Sequence, residues 1–233
     1  MDESTTRRRE VERSTKAYKF TITEELMILA SLRKKIYKIL DPLSVAIRAC
    51  ILADLNYQNI VTMDYNRGCV VVKGNSAIDN SLMDDVAYRI GLYRASASKW
   101  VRLLNGESYK RSEFYLKKVR KRVLVELQSK NAVKFESKFC YKVDVNRKVR
   151  EELTDRLVMY VDDKGTDVRD DVLLVALEYS GCLGIVFSGC SKKFYERLKG
   201  KLLTLRKSLK DRRFIGDDHC VMYEVMKFMF KDR

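Results

Sequence analysis

One arginine lies in a segment that is apolar on nearly every side. Arg48 is the only charged residue in the run LSVAIRACIL, residues 43–52. A helix of this composition is buried on most of its faces, so we expect the guanidinium at or near a buried surface. A buried cation is costly unless an anion compensates it. Two interpretations follow: an internal ion pair with an aspartate or glutamate, or a bound phosphate, which suits the planar donor fork of arginine.

Further cations lie in EFYLKKVRKRVLVEL, residues 113–127, where apolar residues recur at helical spacing. This period predicts a helix over residues 112–130 with one core-facing stripe. The stripe consists of Leu116, Val119, Val123 and Leu127. Lys117 and Arg120 lie three residues apart at one edge of it, so both can point to the same place. Three neighbouring cations are expected to face solvent: Lys118, Lys121 and Arg122. The pair could bind a phosphorylated head group if Arg48 converges on it; otherwise it belongs to a solvated helix face.

Groups that could carry out catalysis are scarce. The single histidine, His219, lies in the turn-like segment GDDHC, and no recognisable pattern places a nucleophile or second base beside it. No phosphate-binding loop, dinucleotide-binding or H-E-x-x-H motif occurs. The acidic pairs Asp162-Asp163 and Asp170-Asp171 lie in polar stretches and are expected to be exposed charges or helix caps. We therefore predict a protein that is not an enzyme and needs no cofactor.

The cysteines indicate neither a disulfide framework nor a metal site. No C-x-x-C pair occurs, and most of the thiols lie in apolar runs. The six positions are Cys50, Cys69, Cys140, Cys182, Cys190 and Cys220. They are interpreted as buried, reduced thiols of a cytosolic protein, with no metal bound.

The elements that must position these cations are mostly helices, since the chain has one proline and only ten glycines. Thr21 or Thr23 followed by glutamates predicts the start of one helix, and Asp41 before Pro42 predicts the start of the helix with Arg48. Residues 59–74 and 132–145 alternate in the manner of β-hairpins, the second with its turn around residues 136–138. We predict a mainly α fold: a single helical domain with a central helix bundle and one or two small β-hairpins. Residues 1–16 are predicted to be a flexible basic tail and 17–233 the domain.

The net charge indicates a polyanionic partner. Forty-seven lysines and arginines against 32 acidic residues leave a charge of +15, which suits nucleic acid or an acidic lipid surface. The longest apolar region, residues 172–187, is interrupted by Glu178 and two glycines and is too short to span a bilayer. No secretory signal precedes it. If the protein meets a membrane, we expect it to lie on the surface.

Several stretches together resemble the Golgi phosphoprotein 3 family. They are FTITEELMILASL, IRACILADL, WVRLLNGES and LKKVRKRVLVEL, followed by the second hairpin and a weaker C-terminal half. The resemblance covers about residues 19–230, and its most specific part is the block from Trp100 to Glu107 with the basic helix after it. It implies a helical domain on the cytosolic face of Golgi membranes that binds phosphatidylinositol 4-phosphate. It also implies an adaptor that links the cytosolic tails of Golgi glycosyltransferases to the coatomer coat.

The resemblance also implies roles for individual residues. The family's head-group pocket uses an arginine of an early apolar helix and two cations of the basic helix, which correspond to Arg48, Lys117 and Arg120. The family pocket further uses a tryptophan nine residues before that arginine. Here the position holds Ile39, with Tyr37 nearby, so ring contact with the lipid is lost or supplied differently.

Two further segments match by resemblance. The cluster Arg7-Arg8-Arg9 is similar to the N-terminal arginines through which family members engage coatomer. The second hairpin contributes to membrane insertion and, in some members, to self-association. Here it is shorter than usual, and the residues concerned are Phe135, Phe139 and Tyr141. A homo-oligomer is therefore a possible state.

Two other hypotheses remain open at this point. Helices followed by a short hairpin could form a basic winged-helix nucleic-acid-binding protein, but such a protein would expose its arginines on a recognition helix, whereas Arg48 is embedded in an apolar one. No nucleic-acid partner is therefore expected. In the other hypothesis Arg48 pairs with an internal carboxylate and the domain binds no lipid.

Overall fold

Helices make up 68% of the residues described by the structure, a computed structural model that covers 19–31, 41–74, 80–136, 142–163, 165–211 and 218–232. The helices are α1 (Ile22–Ala30), α2 (Pro42–Tyr57), α3 (Ser81–Leu92), α4 (Ala97–Asn105), α5 (Val119–Ser129), α6 (Arg147–Asp162), α7 (Val168–Tyr179), α8 (Leu183–Val186), α9 (Lys192–Asp211) and α10 (Cys220–Lys231), with a 3-10 helix at Tyr109–Phe114. The strands are β1 (Val61–Asp64), β2 (Cys69–Val72), β3 (Val133–Glu136) and β4 (Lys142–Val145). The mainly α fold is confirmed. The predicted boundary between tail and domain lies outside the described residues.

Helix α2 forms the centre of the bundle. It packs against α1, α4, α7 and α10, and every residue from Ala46 to Asn56 is buried. An apolar surface on all sides of a helix requires neighbours on all sides, which is why this segment becomes the core. Arg48 is therefore buried because its own helix packs at the centre of the bundle.

The predicted starts of α1 and α2 are confirmed. Thr21 caps α1 by accepting a hydrogen bond from the backbone N–H of Glu24, whose carboxylate in turn accepts from the N–H of Thr21. Asp41 caps α2 by accepting from the N–H of Leu43, with Pro42 in the first turn. Side-chain caps satisfy N–H groups that have no partner within the helix, so these local sequences set where the two helices begin.

Both predicted β-hairpins are confirmed as separate two-stranded sheets. β1 and β2 pair antiparallel with Val61 opposite Val72, and β3 and β4 pair antiparallel with Val133 opposite Val145. In the first hairpin the turn ends at Gly68, whose φ of 60° favours glycine. In the second, Glu136 belongs to the strand rather than to the turn, and residues 137–141 lie outside the described part.

The structure corrects the helix predicted over residues 112–130. A 3-10 helix ends at Phe114, and α5 begins only at Val119, because Lys118 adopts the left-handed conformation with φ 55° and ψ 27°. Lys117 therefore lies in the turn before the helix and not on the helix face with Arg120. The apolar stripe of this segment is nevertheless buried as predicted.

The predicted exposure of Asp170 and Asp171 is wrong, although both lie in the first turn of α7, and that of Arg122 is met only in part. Asp170 and Asp171 are buried at the start of α7, where every residue from Val168 to Leu177 is buried, and they accept hydrogen bonds from Arg156 and the Tyr160 hydroxyl respectively. Arg122 is only partly exposed, since its guanidinium donates to Asp85 at 2.7 Å. Asp162 and Asp163 are exposed as expected.

Candidate anion-binding site

Arg48 is buried and tied to three separate parts of the chain. The residue is 5% exposed. Its Nε donates to the carbonyl oxygen of Leu104 at 2.6 Å, and its Nη2 donates to that of Leu116 at 2.9 Å. Its Nη1 donates to the carbonyl oxygen of Ser44 at 2.9 Å and to the Ser44 hydroxyl at 2.7 Å. The guanidinium therefore joins α2, the end of α4 and the turn before α5.

No carboxylate of the described residues lies within ion-pairing distance of Arg48. The hypothesis of an internal ion pair is therefore wrong for this part of the chain, and the expectation that a buried arginine must meet an anion is corrected as well. Carbonyl dipoles and one hydroxyl compensate the charge instead. They occupy four of the five N–H donors of the side chain. One Nη2 hydrogen is left without a partner among the described residues.

The charge on Arg48 persists at neutral pH. The pKa of the guanidinium is lowered from 12.5 to about 10, chiefly by burial; Tyr115 and Glu107 raise this pKa, and the neighbouring charge of Arg120 contributes to lowering it. A group with a pKa of about 10 still binds its proton at pH 7. The site thus contains a full positive charge in a partly dehydrated setting, where attraction to an anion is stronger than in water.

Arg120 lies in the first turn of α5 and is held at the edge of this site. Its side chain is 24% exposed, and its Nη2 donates to Asp41, the residue that caps α2. Arg120 is therefore anchored to the start of the helix that carries Arg48. Electrostatic repulsion between the two guanidinium groups contributes to lowering the pKa of Arg48.

Lys117 is exposed and makes no ion pair with a described residue. It directly follows Leu116, the residue whose carbonyl oxygen accepts from Arg48. The Arg48 guanidinium therefore reaches the turn that contains Lys117. The two residues meet through this turn and not through the helix face that the sequence predicted.

The start of α5 lacks a side-chain cap. Lys118 occupies the capping position and its side chain accepts no hydrogen bond, and the first turn contains no acidic residue. The helices α1, α2, α3, α4, α6 and α7 each begin with a side-chain oxygen that accepts from the first turn. A helix start attracts anions, because its N–H groups and dipole are positive there. At α5 the chain places Lys117, Lys118 and Arg120 at this positive end, and Arg120 pairs with Asp41.

Of the remaining predicted site residues, the structure describes only Phe135. Phe135 lies on β3, where it is partly buried and packs against the hydrophobic core. The others lie outside the described residues: Arg7, Arg8, Arg9, Ile39, Phe139 and Tyr141. Within the described part of the chain, no cluster of three or more histidine, cysteine, aspartate or glutamate side chains could hold a metal ion. In the same part, no helix is both long and apolar enough to cross a membrane.

Sequence reasoning missed several partners of Arg48. The carbonyl oxygens of Leu104 and Leu116 carry no sequence signal, because every residue has one. Tyr115 was also missed, although its ring centre lies 5.9 Å from the Arg48 Cζ atom. Its position directly before Leu116 was the one available clue.

A second buried arginine has different surroundings. Arg169 is 1% exposed, and its Nη1 donates to both carboxylate oxygens of Glu25 at 3.1 and 3.0 Å. Arg156 donates to the same two oxygens at 2.8 Å each and to Asp170 at 2.9 Å. Burial raises the pKa of the Asp170 carboxyl to about 6. This group is an internal network in which positive and negative charges meet.

Comparison with known proteins agrees with the resemblance found in the sequence. No curated protein matches the chain. The family model described as Golgi phosphoprotein 3 (GPP34) matches residues 22–207, which is most of the chain and includes Arg48, Lys117 and Arg120. The chain therefore belongs to the Golgi phosphoprotein 3 family.

Proposed function

We propose that this protein is a peripheral, non-enzymatic adaptor on the cytosolic face of Golgi membranes that binds phosphatidylinositol 4-phosphate through Arg48, Lys117 and Arg120. The observation that carries this proposal is the buried Arg48 guanidinium with no described carboxylate beside it. Family membership supports the Golgi association and the adaptor role. The coatomer coat and the cytosolic tails of Golgi glycosyltransferases are the proposed protein partners.

The chemistry of a phosphomonoester fits the three cations. Such a group carries a charge of about −1.5 to −2 at neutral pH and three acceptor oxygens. Arg48 can offer its remaining Nη2 hydrogen, and Lys117 can offer an ammonium that no described group neutralises. Arg120, anchored by Asp41, adds a second guanidinium at the uncapped start of α5. Charge-assisted hydrogen bonds of this kind are about twice as strong as neutral ones.

The net positive charge of the chain contributes to membrane binding in a different way from the three-residue site. A net charge of +15 attracts the protein to any anionic surface, and each basic residue close to such a surface contributes about 1 kcal/mol. This attraction does not distinguish one anionic lipid from another. Selectivity for the phosphorylated head group is therefore assigned to the three-residue site.

Vesicle binding tests the proposal. We expect vesicles that contain phosphatidylinositol 4-phosphate to bind the protein more tightly than phosphatidylserine vesicles of equal total charge. Arg48→Ala with Arg120→Ala should abolish the difference, and Lys117→Ala, which removes an exposed side chain, should weaken it without affecting folding. Lys193→Ala with Lys199→Ala, two exposed lysines of α9, is the matched control for lost charge. Equal binding of the wild-type protein to both vesicles would refute the head-group site, and tighter sequence-dependent binding to DNA would favour the winged-helix alternative.

The coatomer link is proposed for the tail residues Arg7, Arg8 and Arg9. Replacing all three with alanine should reduce the capture of purified coatomer while binding to phosphatidylinositol 4-phosphate vesicles stays unchanged. Coatomer capture at the wild-type level by this variant would assign the interaction to another part of the chain.

A further inference from the structure

Tyr115 lies directly beside the buried guanidinium and remains open to solvent. Its ring centre is 5.9 Å from the Arg48 Cζ atom, within the range of a cation–π contact. The residue is 38% exposed. Its hydroxyl makes no hydrogen bond with another described residue. The ring therefore forms part of the wall of the cationic site and still offers surface to a ligand.

The end of α4 fixes the position of this ring. Gly106 caps α4 with a φ of 80°, a conformation that favours glycine. A Cβ atom at Gly106 would lie 2.8 Å from the Tyr115 Cδ2 atom and 3.2 Å from Cγ and Cε2. The ring thus lies against the backbone of Gly106, where any other residue would displace it. A ring held in place before a ligand arrives loses little freedom on binding.

We propose that Tyr115 is the residue by which the site distinguishes a phosphorylated polyol ring from a bare phosphate group. This inference rests on the proposed head-group site. The three cations recognise the phosphomonoester, and this recognition does not depend on what the phosphate is attached to. An inositol ring presents a face of C–H groups, which pack against the face of an aromatic ring, while its hydroxyls can hydrogen-bond to the Tyr115 hydroxyl.

The test uses two lipids that both carry a phosphomonoester, only one of which has the polyol ring. Vesicles of equal total charge contain phosphatidylinositol 4-phosphate, phosphatidic acid or phosphatidylserine. The wild-type protein is expected to bind them in that order of decreasing affinity. Tyr115→Ala should lower affinity for the inositol lipid about tenfold, in line with the loss of one stacked ring, and leave affinity for phosphatidic acid within about twofold of the wild type.

Three further variants separate the ring from other causes. Tyr115→Phe should keep most of the preference, whereas Tyr115→Leu, which keeps the bulk but not the aromatic face, should lose it. Tyr109→Ala removes a fully exposed tyrosine from the neighbouring 3-10 helix and should change nothing. Thermal unfolding of each variant checks that folding is intact.

The outcomes separate this inference from the proposed function. A Tyr115→Ala variant that keeps the wild-type ratio between the inositol lipid and phosphatidic acid overturns the role of Tyr115 and leaves the phosphate site standing. Equal affinity of the wild-type protein for these two lipids, with both bound more tightly than phosphatidylserine, would likewise overturn the role of Tyr115 and leave the phosphate site standing. Equal wild-type binding to all three lipids overturns the phosphate site and the role of Tyr115 together.

Discussion

Arg169 and Arg48 are both buried, but their partners differ. Arg169 donates to the carboxylate of Glu25, which also binds Arg156, so the positive charge is compensated within the protein. Arg48 donates to the carbonyl oxygens of Ser44, Leu104 and Leu116 and to one hydroxyl, with no described carboxylate nearby. Burial alone therefore does not indicate function. The useful distinction is whether the charge of a buried arginine is neutralised from within.

The two surroundings imply two different roles. A network of arginines and carboxylates holds distant segments together, here α1, α6 and α7. A guanidinium held by carbonyl dipoles keeps its net charge and is fixed in orientation before a ligand arrives. Fixed orientation lowers the cost of binding an anion. Substitutions at the first site should therefore act on stability, and substitutions at the second should act mainly on binding.

The largest expected effect is on folding, at Glu25. Glu25→Gln removes the negative charge that four N–H⋯O contacts from two arginines share, and we expect it to lower the free energy of unfolding by about 3 kcal/mol or more. Arg48→Met removes no ion pair but takes the side-chain donor from the buried carbonyl oxygen of Leu116 and one donor from that of Leu104, which also accepts from the Leu116 N–H, at about 1–3 kcal/mol. Urea unfolding followed by the fluorescence of Trp100, the single tryptophan and fully buried, measures both. An Arg48→Met variant less stable than Glu25→Gln would contradict the division of roles.

A smaller effect concerns pH, at Asp54. This buried carboxyl accepts hydrogen bonds from the N–H groups of Ile22 and Thr23 and from the Thr23 hydroxyl, and burial raises its pKa from 3.8 to about 6. Because the folded state binds the proton more tightly than the unfolded state, the stabilisation is complete below pH 4 and is lost as the pH rises through 6. Each pKa unit corresponds to about 1.4 kcal/mol, so the loss is at most about 3 kcal/mol.

Unfolding from pH 4 to 7 isolates this contribution when the wild-type protein is compared with Asp54→Asn. The stability of the wild type relative to the variant should fall with rising pH. Arg48→Met should show no such slope relative to the wild type, since Arg48 stays charged throughout this range. A wild-type advantage over Asp54→Asn that grows with pH would show that hydrogen bonds to the ionised carboxylate outweigh its burial.

The smallest of these effects is on lipid binding, from a substitution that keeps the charge. Arg48→Lys retains the cation but loses the planar fork that donates to three carbonyl oxygens, so the charge is no longer held in one orientation. We expect about a tenfold loss of affinity for phosphatidylinositol 4-phosphate vesicles, which is about 1.4 kcal/mol. The matched control is Arg147→Lys, the same exchange at an exposed arginine of α6, which should bind as the wild type does. If the Arg48→Lys variant bound with wild-type affinity, only the positive charge at this position would matter, and the orientation of the guanidinium would not.

Local chemistry made part of this structure predictable. Thr21 with Glu24, and Asp41 with Pro42, determine where two helices begin because caps act over three or four residues. The burial of Arg48 followed from the apolar residues around it in its own helix. The two hairpins were likewise visible from the alternation of apolar and polar residues within each segment.

The features that could not be predicted depend on residues far apart in the sequence. Asp170 is buried by the packing of α7 and its charge is compensated by Arg156, a pairing that follows only once α6 and α7 pack together. The carbonyl partners of Arg48 come from positions 104 and 116, which meet because the Leu116 N–H donates to the carbonyl oxygen of Leu104 at 3.1 Å, and the packing of α2 against α4 brings Arg48 to both. The late start of α5 results from one left-handed residue, Lys118, which interrupts an otherwise continuous helical pattern.

The most direct test of the central claim is a crystal structure of the protein bound to inositol 1,4-bisphosphate, the soluble head group. We expect the 4-phosphate within about 3 Å of the Arg48 Nη2 atom, beside Lys117, Arg120 and the start of α5. A phosphate bound only at other lysines, or an internal carboxylate in contact with Arg48, would contradict it.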